Sequence, residues 1–429
     1  MFLIYTEKIS PRFSYIVKHI FKNMLGVEYR VTSDLEAFIL SDDAKISYGK
    51  VPIGDEFFVK NFGLLFEKGI AEVEIYMRYW DETPYFFASK TGQIPFDIFS
   101  ASFYLLSRYE EYLPHIKDDF NRYPASESLA YKYKFLELPL VDIWVRRFKK
   151  LLQQKFPKIY FPVGKFNQLS VIEVNTVYLY KYKDAVRSAA GWIRSLASLQ
   201  FAKALERLLV LCRFRRDPYD NYQEIIHFHK EKKINSIFFF LLSSYSLYDR
   251  GLSPFLEAYR ELIRMVADYD VVSVLGSYSS FGNVAQHKKE RHTMIDIINR
   301  PVKRIKLSYN RLQIPESYQN ITDAGYNEDY SMGYVRHPGF RASTCTAFYF
   351  YDLSLEVQLP LRINPFCFHS QSLENIRNKK EMLKIIRSLK AQIENVNGKF
   401  ITIVSHELIS SETKFMNFYK EMLTLNTKH

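Results

Sequence analysis

Ser236–Leu242 (SIFFFLL) is the most apolar stretch of the chain. A run this short is about a third of what a membrane-spanning helix needs, and it fits a β-strand that is buried on both faces. The pattern that follows is helical over Phe255–Asp268 and strand-like over Val271–Leu275. A strand, a helix and a second strand in this order predict parallel strands that are covered by helices.

The same alternation extends to both sides of this stretch, from a strand at Ser170–Val174 to a helix at Ser411–Met422. Between them we predict helices at Arg187–Leu211, Ala285–Asn299, Pro315–Ala324 and Leu373–Asn395, and strands at Val302–Leu307, Thr346–Tyr351, Leu359–Ile363 and Phe400–Val404. From Gly164 onward the chain has about 265 residues, a length that fits one α/β domain built as a barrel.

The first third of the chain has a different pattern, with short strand-like runs among three predicted helices. These helices lie at Ile9–Leu25, Phe96–Leu113 and Val141–Phe156, and the proline- and glycine-containing stretch Pro157–Asn167 follows them as a linker. A single hydrophobic core rarely grows beyond about 250–300 residues. We therefore predict a smaller mixed α+β domain of unknown function at residues 1–163 and an α/β domain at residues 164–429.

The chain is basic, with 59 Lys and Arg against 47 Asp and Glu and a formal net charge of +12. The basic residues form short, separate runs such as Arg146–Lys150 and Arg300–Lys306, unlike the dense basic face of a nucleic-acid-binding module. We expect no nucleic acid as a partner. An acidic glycan, an anionic membrane surface or an acidic protein stays open as one.

Cysteine usage and the apolar runs bear on the compartment. Cys212, Cys345 and Cys367 are scattered without CxxC spacing, so we expect reduced thiols. The apolar run at the start is too short for a secretory signal, and no stretch is long enough for a transmembrane segment. These features predict a soluble, cytoplasmic protein. Its oligomeric state stays open.

In α/β folds, sites lie at the carboxyl ends of the strands, so the residues that follow the predicted strands are candidates. These segments are Ile172–Thr176, Val274–Ser280, Leu307–Tyr309, Gly339–Thr344 and Val404–Glu407. The chain has no glycine-rich phosphate loop and no nucleophile elbow, so nucleotide hydrolysis and serine-esterase chemistry have no support.

Several of these segments carry a resemblance to a known family. EDYSMGY (Glu328–Tyr334), PGFRAST (Pro338–Thr344) and FYFYDLSLEVQLPLRINPF (Phe348–Phe366) resemble the polysaccharide deacetylase-like (NodB-type) proteins common in Bacteroidetes. PFDIFSASFYLLSRYEEYLP (Pro95–Pro114) and RYPASESLAYK (Arg122–Lys132) are similar to the uncharacterised domain that precedes the deacetylase part in that group. The resemblance implies a deformed (β/α) barrel after the smaller domain.

The family chemistry that this resemblance implies is metal-assisted removal of an acetyl group from an N-acetylated sugar. In that chemistry one Asp acts as the general base. A second Asp and two His hold a divalent metal such as zinc, and a late His donates a proton to the leaving amine. Asn175, Leu275 and Ser308 stand where the metal ligands are expected. Leu cannot coordinate, and Asn and Ser are weak ligands for a transition metal. We therefore predict that the metal site is lost and that no cofactor is held.

Other family positions keep a side chain that could act. Glu173 matches the general base, Arg341 matches an Arg that orients this carboxylate, and His406 lies within one residue of the late His. Tyr278 and Tyr309 match aromatic positions. These two tyrosines and Asn175 are the predicted substrate-binding residues.

Structural roles for the same residues stay open. Arg341 would instead pair with Glu328 or Asp329, and His406 would form a satisfied pair with the neighbouring Glu. The histidines at 227, 229, 287 and 292 lack a shared helical face for metal binding, and we expect them on the surface.

Three functions are compatible with the sequence. The leading hypothesis is a deacetylase-like protein that binds a glycan, such as an N-acetylated saccharide, or regulates surface-glycan metabolism without catalysis. The second is an active N-acyl glycan hydrolase that uses Glu173, Arg341 and His406. The third is a module that binds an acidic glycan, a membrane or a protein partner through its basic surface.

Overall fold

The computed structural model of the chain describes residues 1–183, 201–374, 378–411 and 413–426. It contains a four-stranded sheet, a nine-stranded sheet and a two-stranded hairpin. The four-stranded sheet is entirely parallel, in the order β2-β1-β3-β4. Its strands and those of the hairpin are β1 (Phe2–Thr6), β2 (Tyr29–Thr32), β3 (Ala44–Gly49), β4 (Phe57–Lys60), β5 (Arg78–Trp80) and β6 (Thr83–Tyr85).

The predicted helix at Ile9–Leu25 is confirmed, with a change of geometry halfway. It runs as an α-helix over Pro11–Val17 and as a π-helix over Lys18–Met24. Ser10 caps its start by accepting the Phe13 N–H at 3.0 Å. The remaining helices of this region are Leu35–Leu40, Ile98–Leu106, Leu129–Lys132 and Leu140–Lys155. The helix predicted over Phe96–Leu113 is shorter than expected, because the chain turns at Arg108 (φ 55°) into a 3-10 turn at Tyr109–Tyr112.

The nine-stranded sheet confirms the predicted α/β architecture with mainly parallel strands. Its order is β12-β13-β11-β10-β9-β8-β7-β15-β14, and only β12 and β13 pair antiparallel. The strands are β7 (Asn167–Val174), β8 (Asn235–Leu241), β9 (Val271–Gly276), β10 (Arg304–Leu307), β11 (Glu328–Asp329), β12 (Phe348–Asp352), β13 (Val357–Ile363), β14 (Phe368–His369) and β15 (Lys399–Ser405).

Helices cover this sheet between successive strands. They are Phe201–Leu211, Tyr222–Lys232, Glu257–Ala267, Val284–Ile298, Glu316–Asp323, Lys379–Asn395, His406–Ser411 and Thr413–Thr424. The first part of the helix predicted at Arg187–Leu211 lies outside the described residues. No helix in the described ranges is long and apolar enough to cross a membrane.

The large sheet is strongly curved. The Lys306 ammonium on β10 lies 2.9 Å from the Glu173 carboxylate on β7, three places away in the strand order. In a flat sheet, strands three places apart are separated by about 14 Å. The concave face holds an apolar cluster that consists of Leu169, Val171, Ile237, Phe239, Leu241, Leu275, Tyr330, Phe366, Ile401 and Ile403. The curvature therefore encloses side chains from alternate positions of several strands.

The segment between β13 and β14 contacts both flanks of the sheet. The Asn364 N–H donates to Asp329 O at 2.9 Å and the Phe366 N–H donates to Met332 O at 3.0 Å. One residue later, the Cys367 N–H donates to Ile401 O on β15 at 3.1 Å. The chain thus passes from the β11 flank to the β15 flank within four residues.

Buried charges join the first 160 residues to the large-sheet region. Arg341 donates two hydrogen bonds to Glu111, from Nε at 2.8 Å and from Nη2 at 2.6 Å. Arg108 binds the same carboxylate at 2.7 Å, and all three side chains are buried. The expected partners Glu328 and Asp329 are therefore not the ones that Arg341 contacts.

Two of the four histidines expected on the surface are buried instead. His229 and His287 are enclosed by the helices that cover the sheet, and burial lowers the pKa of each to about 4. The His229 Nε2 is hydrogen-bonded to the Tyr419 hydroxyl at 2.6 Å. These histidines are neutral parts of the core.

Replacement of Arg341 by Ala should leave the Glu111 carboxylate buried with only Arg108 as its counter-charge. Removing one member of a buried ion pair costs about 3–5 kcal/mol, and we expect a loss of this size in the free energy of unfolding from urea denaturation. The exposed Arg146, changed to Ala, is the control and should shift stability by no more than about 0.5 kcal/mol. Equal stability of the two variants would contradict a structural role for Arg341.

Candidate functional site

Three buried side chains meet at the edge of the large sheet where β7, β10 and β15 end, which we call the carboxyl edge. Glu173 of β7 is 6% exposed, Lys306 of β10 is 0% exposed and His369 of β14 is 3% exposed. The Lys306 Nζ lies 2.9 Å from Glu173 Oε1, and the His369 Nε2 lies 3.3 Å from Glu173 Oε2. Both carboxylate oxygens therefore have a nitrogen partner.

The tautomer of His369 follows from its second contact. Its Nδ1 accepts the backbone N–H of Gln371 at 3.1 Å. An imidazole nitrogen that accepts a hydrogen bond carries no proton, so in the neutral ring the proton is on Nε2 and points to Glu173. Neither ring nitrogen then has a lone pair available to another ligand.

The ammonium of Lys306 is surrounded by oxygen atoms. Besides its ion pair with Glu173, it donates hydrogen bonds to Leu307 O at 3.1 Å and to Asn310 Oδ1 at 3.0 Å. An ammonium has three protons, and three acceptors surround it here. A lysine without solvent contact is tolerated only when it is paired in this way.

Glu173 is ionised in this environment. Burial acts to raise its pKa, but the opposing charge of Lys306 and the contact with His369 outweigh burial and lower the pKa to about 2. The three groups form a closed unit of one carboxylate, one ammonium and one imidazole, which we call the Glu173–Lys306–His369 cluster.

The residues at this edge do not fit the divalent metal that the resemblance implies. Leu275 lies in the apolar cluster, and the buried Ser308 hydroxyl has no hydrogen-bond partner. Within the described ranges, no group of three or more His, Cys, Asp or Glu is placed to hold a metal ion. The cation next to Glu173 is the Lys306 ammonium, which would repel a second cation at the same carboxylate.

Tyr278 and Tyr309, the two predicted aromatic residues, are brought together at the carboxyl edge. Their rings meet edge to face at 5.7 Å. Tyr248, which the sequence analysis did not single out, stacks on Tyr278 at 4.1 Å and accepts the Tyr309 hydroxyl through its carbonyl at 2.7 Å. The Arg311 guanidinium also lies over the Tyr278 ring, 4.4 Å from its centroid. Tyr248 is exposed and the other two are half-buried, so this tyrosine cluster presents mainly the Tyr248 ring to solvent.

Polar contacts from two sides fix the tyrosine cluster. Asp249 accepts the Tyr278 N–H at 2.7 Å and orders the turn after β9. Phe120, from the first 160 residues, stacks on Tyr309 at 5.5 Å, and Arg122 donates to Tyr309 O at 2.6 Å. The N-terminal region thus supports the cluster directly.

His406 does not reach Glu173. It starts the helix His406–Ser411 with its ring fully buried, where it stacks on Tyr222 at 4.2 Å and contacts the Asn221 Oδ1 at 3.0 Å. Burial lowers its pKa to about 3, so it is neutral at physiological pH. The expected proton donor is a core residue, and its partners are Tyr222, Asn221 and Ser410 and not the neighbouring Glu407.

The next residue, Glu407, is close enough to Glu173 for the charge of that carboxylate to act on it. Burial raises its pKa, hydrogen bonds from Thr176 oppose this rise, and repulsion by the Glu173 charge adds to it. Asn175 is half-buried directly after β7. Arg341, bound to Glu111, does not orient Glu173, whose two oxygens contact Lys306 and His369.

Lys306, His369 and Tyr248 were not predicted at this edge, and Glu407 was included only as the end of the candidate segment Val404–Glu407. One signal was present for Lys306. It lies between Ile305 and Leu307 in a predicted strand, and a lysine in such a place must face either solvent or an internal partner.

Comparison with known proteins covers both parts of the chain. Residues 2–157 match a family of unknown function (DUF7033). No curated protein matches the chain. Similar solved structures include a "putative polysaccharide deacetylase" from Mycobacterium smegmatis, at 10% identity and a TM-score of 0.36, over 63% of this chain and 88% of that one. Another is a BA3943 mutant, a CE4 family pseudoenzyme with restored enzymatic activity, at 7% identity and a TM-score of 0.25, over 60% and 64% of the two chains.

The charge of Lys306 should set the acid stability of this edge. The pKa of Glu173 is about 2 in the folded chain against an ordinary value of 4.5, so its contribution to stability is present above pH 4.5 and is lost as pH falls towards 2. Lys306→Met leaves a buried carboxylate without its ammonium and should lower the free energy of unfolding at pH 7 by about 3–5 kcal/mol.

The difference in the free energy of unfolding between wild type and Lys306→Met should become smaller in acid, because protonation of Glu173 removes the uncompensated charge from the variant. Urea unfolding of wild type and variant at pH 7, 5 and 3 measures it, with the exposed Lys158→Met as the control that should follow wild type at every pH. A stability difference that does not change with pH would contradict the ion pair.

Proposed function

We propose that this chain is a polysaccharide deacetylase-like protein that binds a glycan at its carboxyl edge without hydrolysing it. The observation that carries the proposal is the Glu173–Lys306–His369 cluster, in which each group that could activate water is already engaged. Metal-assisted hydrolysis needs a cation with an open coordination position. Here an ammonium with three acceptors takes the place next to the carboxylate.

We propose further that residues 164–429 form a deformed (β/α) barrel, preceded by a domain at residues 1–163. The contact between Lys306 and Glu173 across the concave face supports this proposal, because it brings together strands that are far apart in a flat sheet. The segment from Asn364 to Cys367, which bonds to both flanks, supports closure. A barrel also accounts for the apolar cluster, whose members would fill its interior.

The tyrosine cluster is the surface proposed to bind the sugar. Aromatic rings offer large apolar faces with little conformational entropy to lose, and the apolar face of a pyranose ring stacks against them. The Asn175 amide, half-buried beside Glu173, would donate to or accept from a hydroxyl or acetamido group. An N-acetylated saccharide is the substrate class that the sequence resemblance suggests.

Tyr278→Ala should weaken the binding of an N-acetylglucosamine pentasaccharide by about 3- to 10-fold, the equivalent of one lost aromatic contact. Isothermal calorimetry measures the change, and Tyr278→Phe should bind like wild type. Tyr160, which is 80% exposed in the linker, provides the matched control as Tyr160→Ala. Saturable binding that Tyr278→Ala leaves intact would refute this location, and no binding of any N-acetylated oligomer would refute the ligand class.

Zinc should not bind at the carboxyl edge. Titration of the metal-stripped protein with zinc is expected to give no stoichiometric sub-micromolar site, because both Glu173 oxygens and both His369 nitrogens are engaged. His369→Gln serves as the control for binding elsewhere, for example at the exposed Cys212. Tight one-to-one binding that His369→Gln abolishes would overturn the proposed loss of the metal site.

One observation favours a second candidate, a hydrolase that needs no metal. Glu173 and Glu407 are two neighbouring carboxyl groups whose pKa values are shifted in opposite directions, the arrangement typical of a base and an acid. Glu173 would take a proton from the water that attacks the acetyl carbonyl, and Glu407 would protonate the departing nitrogen. A pKa of about 2 makes Glu173 a weak base, so this candidate ranks second.

Acetate release from the N-acetylated oligomer separates the two candidates. The glycan-binding proposal expects none, with or without added zinc, cobalt or nickel. The hydrolase expects release that Glu407→Gln abolishes, while His406→Gln, which alters a core residue outside the pair, lowers stability more than turnover.

A further inference from the structure

A cavity lies at the edge of the large sheet opposite the carboxyl edge, where the parallel strands begin. Its volume is about 690 Å³, and Leu169 and Ile237 of the apolar cluster form part of its wall. The polar part of the wall includes Lys230 and Lys233 from the end of one helix, and Arg304 and Lys399 from the starts of β10 and β15. The cavity is separate from the carboxyl edge.

Basic side chains from several strands converge here. Arg304, Glu328 and Arg362 are register partners on β10, β11 and β13, so they form one row across the sheet. Arg304 Nε contacts Glu328 Oε2 at 3.2 Å, and the Tyr330 hydroxyl donates to the same oxygen at 3.0 Å. Lys399, four strands from Arg304 in the sheet order, is close enough for its charge to interact with all three members of the row.

The positive charges exceed the acids that face them. Across the described ranges, the side chains of Lys399, Arg362 and Lys233 form no ion pair, and Lys230 rests on the Tyr269 ring at 3.8 Å from its centroid. Glu328 is the single carboxylate that the row shares.

The other acids at the cavity compensate little. Asp270 accepts from Ser236 at 2.6 Å; burial raises its pKa, and the Ser236 hydrogen bond and the charge of Lys230 oppose this rise, so its charge interacts with Lys230 and not with the Arg304 row. Asp268 lies on the exposed rim, 4.0 Å from Arg300.

Lys399 shows the consequence of this excess. Burial, then the charge of Arg362 and, more weakly, that of Arg304 lower its pKa to about 8, against the opposing influence of Glu328. A cation that is partly removed from water and surrounded by other cations destabilises the fold. An anion in the cavity would reverse this cost by supplying the missing counter-charge.

We propose that this cavity binds a small molecule that carries a phosphate group. Among the described residues, Lys399 and Lys233 line the cavity without a carboxylate partner, and Arg304 has only Glu328, so the ligand needs more than one negative charge, which a phosphate supplies and a single carboxylate does not. The Arg304 guanidinium and the ammonium groups of Lys399 and Lys233, which all line the cavity, provide the donors. The ligand is either a phosphorylated metabolite, with its carbon skeleton against the apolar wall, or free phosphate.

Calorimetric titrations at constant ionic strength test the proposal on the full chain. The probes are inorganic phosphate, fructose 1,6-bisphosphate and glucuronate, of which the last carries one carboxylate. We expect saturable binding of a phosphate compound that Lys399→Met weakens at least tenfold and that Lys158→Met leaves unchanged. Lys399→Met removes a charge that disfavours folding, so its melting temperature without anion should equal or exceed that of wild type.

The pH dependence gives a second readout. Affinity should fall as pH rises through about 8 in the wild type, because Lys399 loses its proton beside Arg304, Arg362 and Glu328, and Lys399→Met should lack this fall. Preference for the bisphosphate over phosphate identifies a metabolite site, and equal affinity identifies a phosphate site.

Three results would overturn the proposal. They are no saturable binding of either phosphate compound, binding that Lys399→Met does not alter, and glucuronate binding as tight as phosphate binding. Tyr278→Ala should leave phosphate affinity unchanged and Lys399→Met should leave glycan affinity unchanged, so the two sites are tested independently.

Discussion

The contact between the Lys306 ammonium and the Glu173 carboxylate joins strands β10 and β7 across the concave face of the large sheet. Taking both charges out of water is costly, so each must be fully paired if the fold is to be stable. The Lys306 ammonium also donates hydrogen bonds to Asn310 Oδ1 and Leu307 O, and His369 is the second partner of the Glu173 carboxylate. The low pKa of Glu173 depends on this interaction, which is possible only because the curved sheet brings β10 and β7 together.

The N-terminal region takes part in the architecture of the carboxyl edge. Glu111 compensates Arg341, and Phe120 and Arg122 hold Tyr309 in its left-handed conformation at φ 56°. The tyrosine cluster is therefore a joint product of two parts of the chain. Its ring surface is exposed where the Glu173–Lys306–His369 cluster is closed, and this contrast is the basis on which we propose sugar binding without hydrolysis.

Local patterns predicted the strands and helices well, and long-range partners poorly. The stretch Ser236–Leu242 (SIFFFLL) forms most of strand β8, as its short, continuously apolar pattern indicated. Arg341 was predicted to orient Glu173 or, alternatively, to pair with Glu328 or Asp329, yet its partner Glu111 is 230 positions away. His406 and Glu407 are adjacent in sequence, but the start of a helix directs one ring into the core and leaves the other side chain near Glu173. Hydrophobic periodicity and composition carry no information on which distant side chains will contact each other.

The buried Glu111–Arg341 contact restricts how this chain could have evolved. Among the residues that the structure describes, the carboxylate paired with this arginine of the large-sheet region is a glutamate that the other region supplies. A gene fusion that attached residues 164–429 to an unrelated leading segment would leave that arginine unbalanced. The two regions are thus expected to be inherited as a pair, and a change at either position would select for a compensating change at the other.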